Sequence, residues 1–452
     1  MSGALLCDEY ELTMSQSFWR RQDTGLVAFE LFVRSLPAER GYLIAAGLSD
    51  VLTFLEEFSF NSDELSYLAS GGRYDQAFLA YLQDVHFTGS VDAIPEGTPV
   101  GAGEPLLRII APRIEATLVE SAIVAIITHQ TMIASKTRKI VDAASGRSIW
   151  DFSLRRLHGI GAGVPTARAA WIAGAKGTAT VEAGKVLGIP TTGTMAHHYV
   201  LSCGMDGEEE AFAAFLHEFP TSGILLVDTY DVRSGIQHAI EAARSTGIPL
   251  QGIRIDSGDL VAHAILARKM LDEAGMASTQ IIASSDLDEY RIAEFIAKGA
   301  PIDSFGVGTM LGTSADAPNL SGVYKLVAQQ IDGKWEPLMK CSQEKATNPG
   351  MHQVFRQDAW HDIVGLVDEK ISGDGLLQRV MEAGRVSSDL PSLAEIRNRC
   401  SVLMEHLPGP LRLPHPTATF GVQLSSALTD LKEELMTEHV RRSRGTATVA
   451  AS

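Results

Sequence analysis

Between residues 188 and 309 the sequence repeats one arrangement five times: a short apolar run ending in glycine, hydroxyl or charged side chains. The runs occupy 188–200, where a turn and a short β run lead into His197-His198, and then 223–231, 252–259, 280–286 and 304–309. Each reads as a buried strand with a polar carboxyl end. Helix patterns at 208–219, 232–245, 260–274 and 287–297 fall between them. Strands alternating with helices of this length form parallel βα units. Their polar carboxyl ends converge on one mouth in an α/β barrel, so the expected fold is α/β with an irregular barrel carrying the site.

The flanks read differently. Residues 29–33 look like a strand, 48–86 like helices, and 87–112 like strands with turns at 95–98 and 101–105. One long helix is expected over 114–141, then a strand at 150–156 with a basic end, and short helices at 166–174 and 178–187. Beyond 320 the alternation stops. An antiparallel pair, 323–328 with 335–340, turns at Asp332-Gly333, and 424–436 reads as a terminal amphipathic helix. The predicted organisation is an N-terminal α+β domain (1–115), a barrel catalytic domain (116–325), a C-terminal segment packing back on the first domain (326–440) and a flexible tail (441–452).

The formal charge of −17 over 452 residues argues against nucleic acid, whose binders carry a basic face. An anionic small ligand would need positive charge gathered locally. Arg155 and Arg156, which strand alternation would turn to opposite sides, and Lys136, Arg138 and Lys176 are the candidates. Four scattered cysteines make neither a disulfide framework nor a CxxC zinc pair, so a reducing cytoplasm is the expected compartment. Acidic Asp8, Glu9 and Glu11 arrive where a leader would be basic, and the most apolar run, 118–127, contains Glu120. No signal peptide and no membrane span are expected.

A lone histidine is more often a satisfied core or surface residue than a catalytic one. Two features favour chemistry for His197, which is expected to follow a strand among small residues: Asp228 ends the next strand, where a carboxylate can orient the ring, and the polar ends of the neighbouring strands would converge on the same mouth. Arg254 and Asp256 alternate in one strand and share a face, with Ser257, Gly258 and Asp259 completing an ion-rich turn. The alternative is a local salt-bridge turn. Gly306, Gly308 and Thr309 fail the dinucleotide spacing, yet glycine amides at the end of a late barrel strand suit phosphate better than a plain turn. Adjacent His197 and His198 point apart, so zinc is not expected.

Many segments in order resemble the nicotinate phosphoribosyltransferases, a type II phosphoribosyltransferase family related to nicotinamide phosphoribosyltransferase. They are Asp8 to Met14, Phe29-Glu30 with Arg34 and Pro37, Glu96-Gly97, Glu104-Pro105, Gln130-Thr131 with Ala134 and Lys136, Phe152 to Arg156, Gly177-Thr178, Gly193 to His197, Asp228 to Asp231, Arg254 to Asp259, Phe305 to Thr309, and Lys340 to Ser342 with Lys345, Thr347 and Pro349-Gly350. The resemblance implies transfer of phosphoribose from 5-phosphoribosyl-1-pyrophosphate to nicotinate, yielding nicotinate mononucleotide and pyrophosphate in NAD salvage. It also implies ATP hydrolysis through a transient phosphohistidine at His197 paired with Asp228, Mg²⁺ with the pyrophosphate, and a homodimer with shared sites. Tyr10 of the partner and Phe152 would sandwich the pyridine ring. Arg155, Arg254 and Asp256 would contact phosphoribose and base, with Thr178, Ala179, Ser257 and Gly258 beside them, while Gly306, Gly308, Thr309 and Ser285 would hold phosphate. Two features stand out against the family pattern: Ala179, where amide-using relatives carry aspartate, favours the anionic acid, and Ser285 replaces a frequent glycine. The nicotinamide-using enzyme and a non-catalytic nucleotide-binding relative remain the alternatives.

Overall fold

The structure, a computed structural model, describes residues 3–342 and 346–449, so Lys345 lies outside the described residues. The chain forms two compact units, Met1–Met132 with Asn319–Leu411 and Pro416–Ser452, and Ile133–Pro318 with Arg412–His415.

The second unit is built on β1 (Ser148–Asp151), β2 (Gly177–Thr178), β3 (Ile224–Leu226), β4 (Gly252–Ile255), β5 (Gln280–Ala283) and β6 (Ser304–Val307). They pair in parallel in the order β2-β1-β6-β5-β4-β3. Among the described residues β2 and β3, the edges, have no ladder to each other. The register sets Ala283 beside Ile255 and Val307 beside Asp151, so the carboxyl ends finish level. Ile253, Ile255, Ile281, Phe305 and Val307 are buried along the sheet, as continuous apolar strands covered on both faces should be. Three aspartates just past the strand ends start the helices that follow. Asp231 accepts from Ser234 N at 2.9 Å, Asp259 from Val261 N and Ala262 N at 3.1 Å, and Asp288 from Arg291 N at 2.8 Å. They satisfy orphan amides of the helices Val232–Thr246, Leu260–Glu273 and Glu289–Ala297.

Three sequence expectations change. Residues 191–196 make no strand; a single bridge joins Thr191 to Thr178, and His197 opens the short helix His197–Leu201. The expected helix over 114–141 is two, Arg113–Leu118 and Glu120–Ala143, interrupted at Val119. The strand expected over 150–156 stops at Asp151 because Ser153 turns back onto its carboxylate, with Ser153 N 2.9 Å from Asp151 Oδ1. Leu154–Arg156 then forms a 3₁₀ turn, so strand alternation never applies to the two arginines, and both are exposed.

In the first unit, distant parts of the chain share one antiparallel sheet. The strand Leu26–Val33 lies between Pro105–Pro112 and Gly322–Ile331, and Lys334–Pro337 follows at the edge. The last helix runs Ser426–Val449, past the end of its apolar pattern.

Glu104 is fully buried in this unit. Its Oε1 accepts from Gly101 N at 2.9 Å. Burial, and then the charge of Asp362, push its pKa well above the usual carboxylate range. The folded chain therefore holds a proton that the unfolded chain releases above about pH 4.5. Stability falls as pH rises through that window, by up to about 1.4 kcal/mol per pH unit. A Glu104→Gln substitution keeps an acceptor for Gly101 and removes the titration. Thermal melts are expected to show a variant near wild type at pH 4.5 and more stable by at least about 1 kcal/mol at pH 7.5. Equal shifts at both pH values would contradict this.

Candidate active site

A cavity of about 500 Å³ opens at the carboxyl ends of the second unit's strands. Ten residues singled out from sequence line it: Phe152, Arg155, Arg156, Ala179, Arg254, Asp256, Ser285, Gly306, Gly308 and Thr309. Leu154, Thr192 to Ala196, Ser284 and Asp286 join them. Three guanidiniums face two carboxylates here, so positive charge is gathered locally in an acidic chain.

Asp151, missed from sequence, ties the β1 and β2 ends together. Its Oδ2 accepts from Thr178 Oγ1 at 2.7 Å, and its carbonyl accepts from Ala179 N at 2.7 Å. Burial raises its pKa, against the hydrogen bonds from Ser153 and Thr178. Thr178 is thus a buried strut beneath the cavity, while Ala179 reaches the surface of it. Phe152 lies across Gly306, where an added Cβ would sit 2.4 Å from the ring. No side chain larger than hydrogen fits under that ring, and the ring forms a flat apolar wall. Ser285 has φ +101° and Asp286 φ +41°, both in the left-handed region. Such backbone costs roughly 1–3 kcal/mol and concentrates at ligand-binding sites.

Arg254 is half-buried; its Nη1 donates to Thr194 Oγ1 at 2.8 Å and its Nη2 to the Met195 carbonyl at 3.1 Å. It therefore holds the extended segment leading to His197. Burial lowers its pKa, opposed by Asp256 and Asp228. His197 Nδ1 lies 3.2 Å from Thr229 Oγ1, and Nε2 lies 3.9 Å from Asp256 Oδ2. The ring's recorded partners among the described residues are thus Thr229 and Asp256, not Asp228. Asp228 instead accepts from Asp256 N at 2.9 Å and Ser257 Oγ at 2.6 Å, bracing the turn that carries Asp256. The next residue's hydroxyl reaches the imidazole because Asp228 turns inward to those donors. Ser284 Oγ donates to Asp256. Ser257 and Gly258 form the turn without lining the cavity, and Tyr10 lies in the other unit, half exposed on the helix Glu9–Arg20.

The expected charge donors divide. Arg155 and Arg156 line the cavity; Lys136 is buried against Glu289 and Asp316, and Arg138 and Lys176 line a different cavity. Among the described residues no cluster of three or more His, Cys, Asp or Glu could hold a metal, and no helix is long and apolar enough to cross a membrane.

Strand tips carrying guanidiniums, carboxylates and glycine amides around a flat aromatic wall define an α/β protein that binds an anionic, hydroxyl-bearing ligand beside a planar ring. Comparison with known proteins narrows this class. Family models match in three pieces: the nicotinate phosphoribosyltransferase N-terminal domain over residues 5–128, the family itself over 148–362, and the C-terminal domain over 344–432. A nicotinate phosphoribosyltransferase of Mycobacterium tuberculosis is 43% identical over 417 residues, covering 91% of this chain and 89% of its own. That of Bacillus subtilis is 42% identical over 383 residues, covering 82% of this chain and 78% of its own. The crystal structure of human nicotinic acid phosphoribosyltransferase superposes with a TM-score of 0.83 at 26% identity, over 95% of this chain and 99% of the human one. The chain belongs to the nicotinate phosphoribosyltransferase family and is an enzyme of that activity.

Proposed function

We propose that the 500 Å³ cavity binds nicotinate and 5-phosphoribosyl-1-pyrophosphate together, and that transfer between them is coupled to ATP hydrolysis through a phosphoryl group on His197. The observation that carries this reading is the approach of His197 Nε2 to Asp256 at 3.9 Å, with Nδ1 held by Thr229. The pyridine ring stacks on Phe152, with Tyr10 of a partner subunit on its other face in a homodimer. The nicotinate carboxylate takes its counter-charge from cavity guanidiniums such as Arg155, since Ala179 offers neither charge nor hydrogen bond. An aspartate at 179 would repel it, which favours nicotinate over nicotinamide.

In the transfer, the pyridine nitrogen lone pair forms the bond to ribose C1 as the C1–O bond breaks and pyrophosphate departs with its electrons. The protein's part is positioning and charge compensation. Asp256 suits the ribose hydroxyls, and the amides of Gly308 and Thr309 with Ser285 suit the 5-phosphate. Asp256 and Asp286 are two carboxylates at one cavity, a donor set that suits Mg²⁺ arriving with most of its shell on diphosphate oxygens and water. Mg²⁺ held there would offset the charge on departing pyrophosphate. In the ATP half-reaction the imidazole nitrogen takes the γ-phosphoryl group of ATP as the bond to the β-phosphate oxygen breaks and ADP departs, and water later releases it as phosphate. The six-stranded sheet is read as the wall of an irregular barrel of the type II phosphoribosyltransferase kind, and free cysteines throughout suit a reducing cytoplasm.

Pyrophosphate release is measured with nicotinate, nicotinamide and quinolinate, each with and without ATP. Nicotinate is expected to be preferred. A His197→Ala variant is expected to keep slow ATP-independent turnover, to lose ATP hydrolysis, and to fall about tenfold or more below the ATP-stimulated rate. Full ATP-stimulated turnover in that variant removes the role given to His197, and preference for nicotinamide removes the substrate assignment.

A further inference from the structure

A second cavity, of about 300 Å³, lies at the opposite ends of two strands that deliver catalytic-site residues. Ser148 and Ile149, which begin β1, line it, as does Lys176, which precedes β2. Four cationic side chains face it, Arg138, Arg147, Lys176 and Arg412, against one carboxylate, Asp142. Asp142 is already engaged: Arg138 Nε lies 3.1 Å and Arg412 Nη2 2.7 Å from its Oδ1. Arg147 Nε donates to the Ile302 carbonyl at 2.8 Å, which orients the rest of its guanidinium. Among the described residues neither Arg147 nor Lys176 has a carboxylate partner.

We propose that this cavity is an anion site for a polyphosphate group of a small metabolite. The charge selects the ligand class. Arg147 and Lys176 bring two positive charges that have no carboxylate partner among the described residues, and a simple monoanion would leave an excess. A di- or triphosphate matches it, and guanidiniums suit phosphoryl oxygens because their forked donors bind two oxygens at once. The remaining lining, Val141, Ser145, Gly146, Ser148, Ile149 and Gly174, offers no aromatic surface, so it is the phosphate end of a ligand that the cavity takes.

The test is calorimetric titration of sodium tripolyphosphate into the intact enzyme. Wild type is expected to bind at two sites per chain, one here and one in the catalytic cavity. Lys176 is exposed, so Lys176→Glu should leave the melting temperature unchanged while weakening one site about tenfold, the lower end for a hydrogen bond to a charged group. Arg155→Gln should weaken the other. Citrate, similarly charged but without phosphoryl groups, should bind the Lys176-dependent site at least about tenfold less tightly. A Lys176→Glu titration that superimposes on wild type overturns the proposal, and equal affinity for citrate overturns the polyphosphate assignment. A wild-type titration that shows the Lys176-dependent site and no Arg155-dependent one would instead count against the phosphate reading of the strand-tip cavity.

Discussion

Replacing Arg254 with lysine is expected to lower kcat/KM by about a hundredfold to a thousandfold while the protein stays folded. Arg254 donates from two nitrogens to two different acceptors, Thr194 Oγ1 at 2.8 Å and the Met195 carbonyl at 3.1 Å. A lysine keeps the charge, but its one nitrogen cannot stand where both Nη1 and Nη2 stand, so the two contacts lose the fixed fork that positions the segment. The segment it holds leads directly into His197 and lines the cavity through Thr194, Met195 and Ala196. Misplacing catalytic groups by about 1 Å is enough for a hundredfold loss. Steady-state kinetics with nicotinate, read beside a thermal melt, check this. Thr194→Val, which removes one of the two acceptors, should show a smaller loss in the same direction. An Arg254→Lys enzyme within about threefold of wild type would show that the guanidinium fork is dispensable.

The second large effect concerns stability. Lys136 is 1% exposed, and its ammonium lies 2.5 Å from Glu289 Oε2 and 2.8 Å from Asp316 Oδ1. Lys139 adds a contact to Glu289 Oε1 at 3.2 Å. Lys136→Met keeps the volume but leaves the buried Glu289 and the half-buried Asp316 with too little positive charge. Removing one partner of a buried ion pair costs about 3–5 kcal/mol. A fall of roughly 10 °C in melting temperature follows for a unit of this size. Adding Asp316→Asn should recover part of the loss, because the charge removed and the charge left unpaired then balance more closely. If Lys136→Met melts within about 2 °C of wild type, the cluster is not what anchors Glu289 and Asp316 in the folded unit.

The functional elements differ in how far they can be read before folding. The runs at 223–231, 252–259, 280–286 and 304–309 all contain parallel strands, because continuous apolar residues bounded by glycine and polar residues report burial directly. Several polar residues at their ends do line one cavity. The first run misled: residues 191–196 have a strand's composition but gain only one bridge, because Arg254 holds the backbone that a strand would commit to pairing. Arg155 and Arg156 look like strand residues until Ser153 folds back on Asp151.

Local pattern alone therefore determined the βα organisation and which polar and glycine residues stand at the strand tips, since periodicity and polarity act over a few neighbouring positions. Tertiary structure decided which groups meet. Thr229 rather than Asp228 reaches His197, Asp228 braces Asp256 and Ser257, and Arg138 and Lys176 line a different cavity from the one at the strand tips. Those pairings join residues that strand register and helix packing bring together from far along the chain. A one-residue change in register turns a side chain to the opposite face, which no local pattern records.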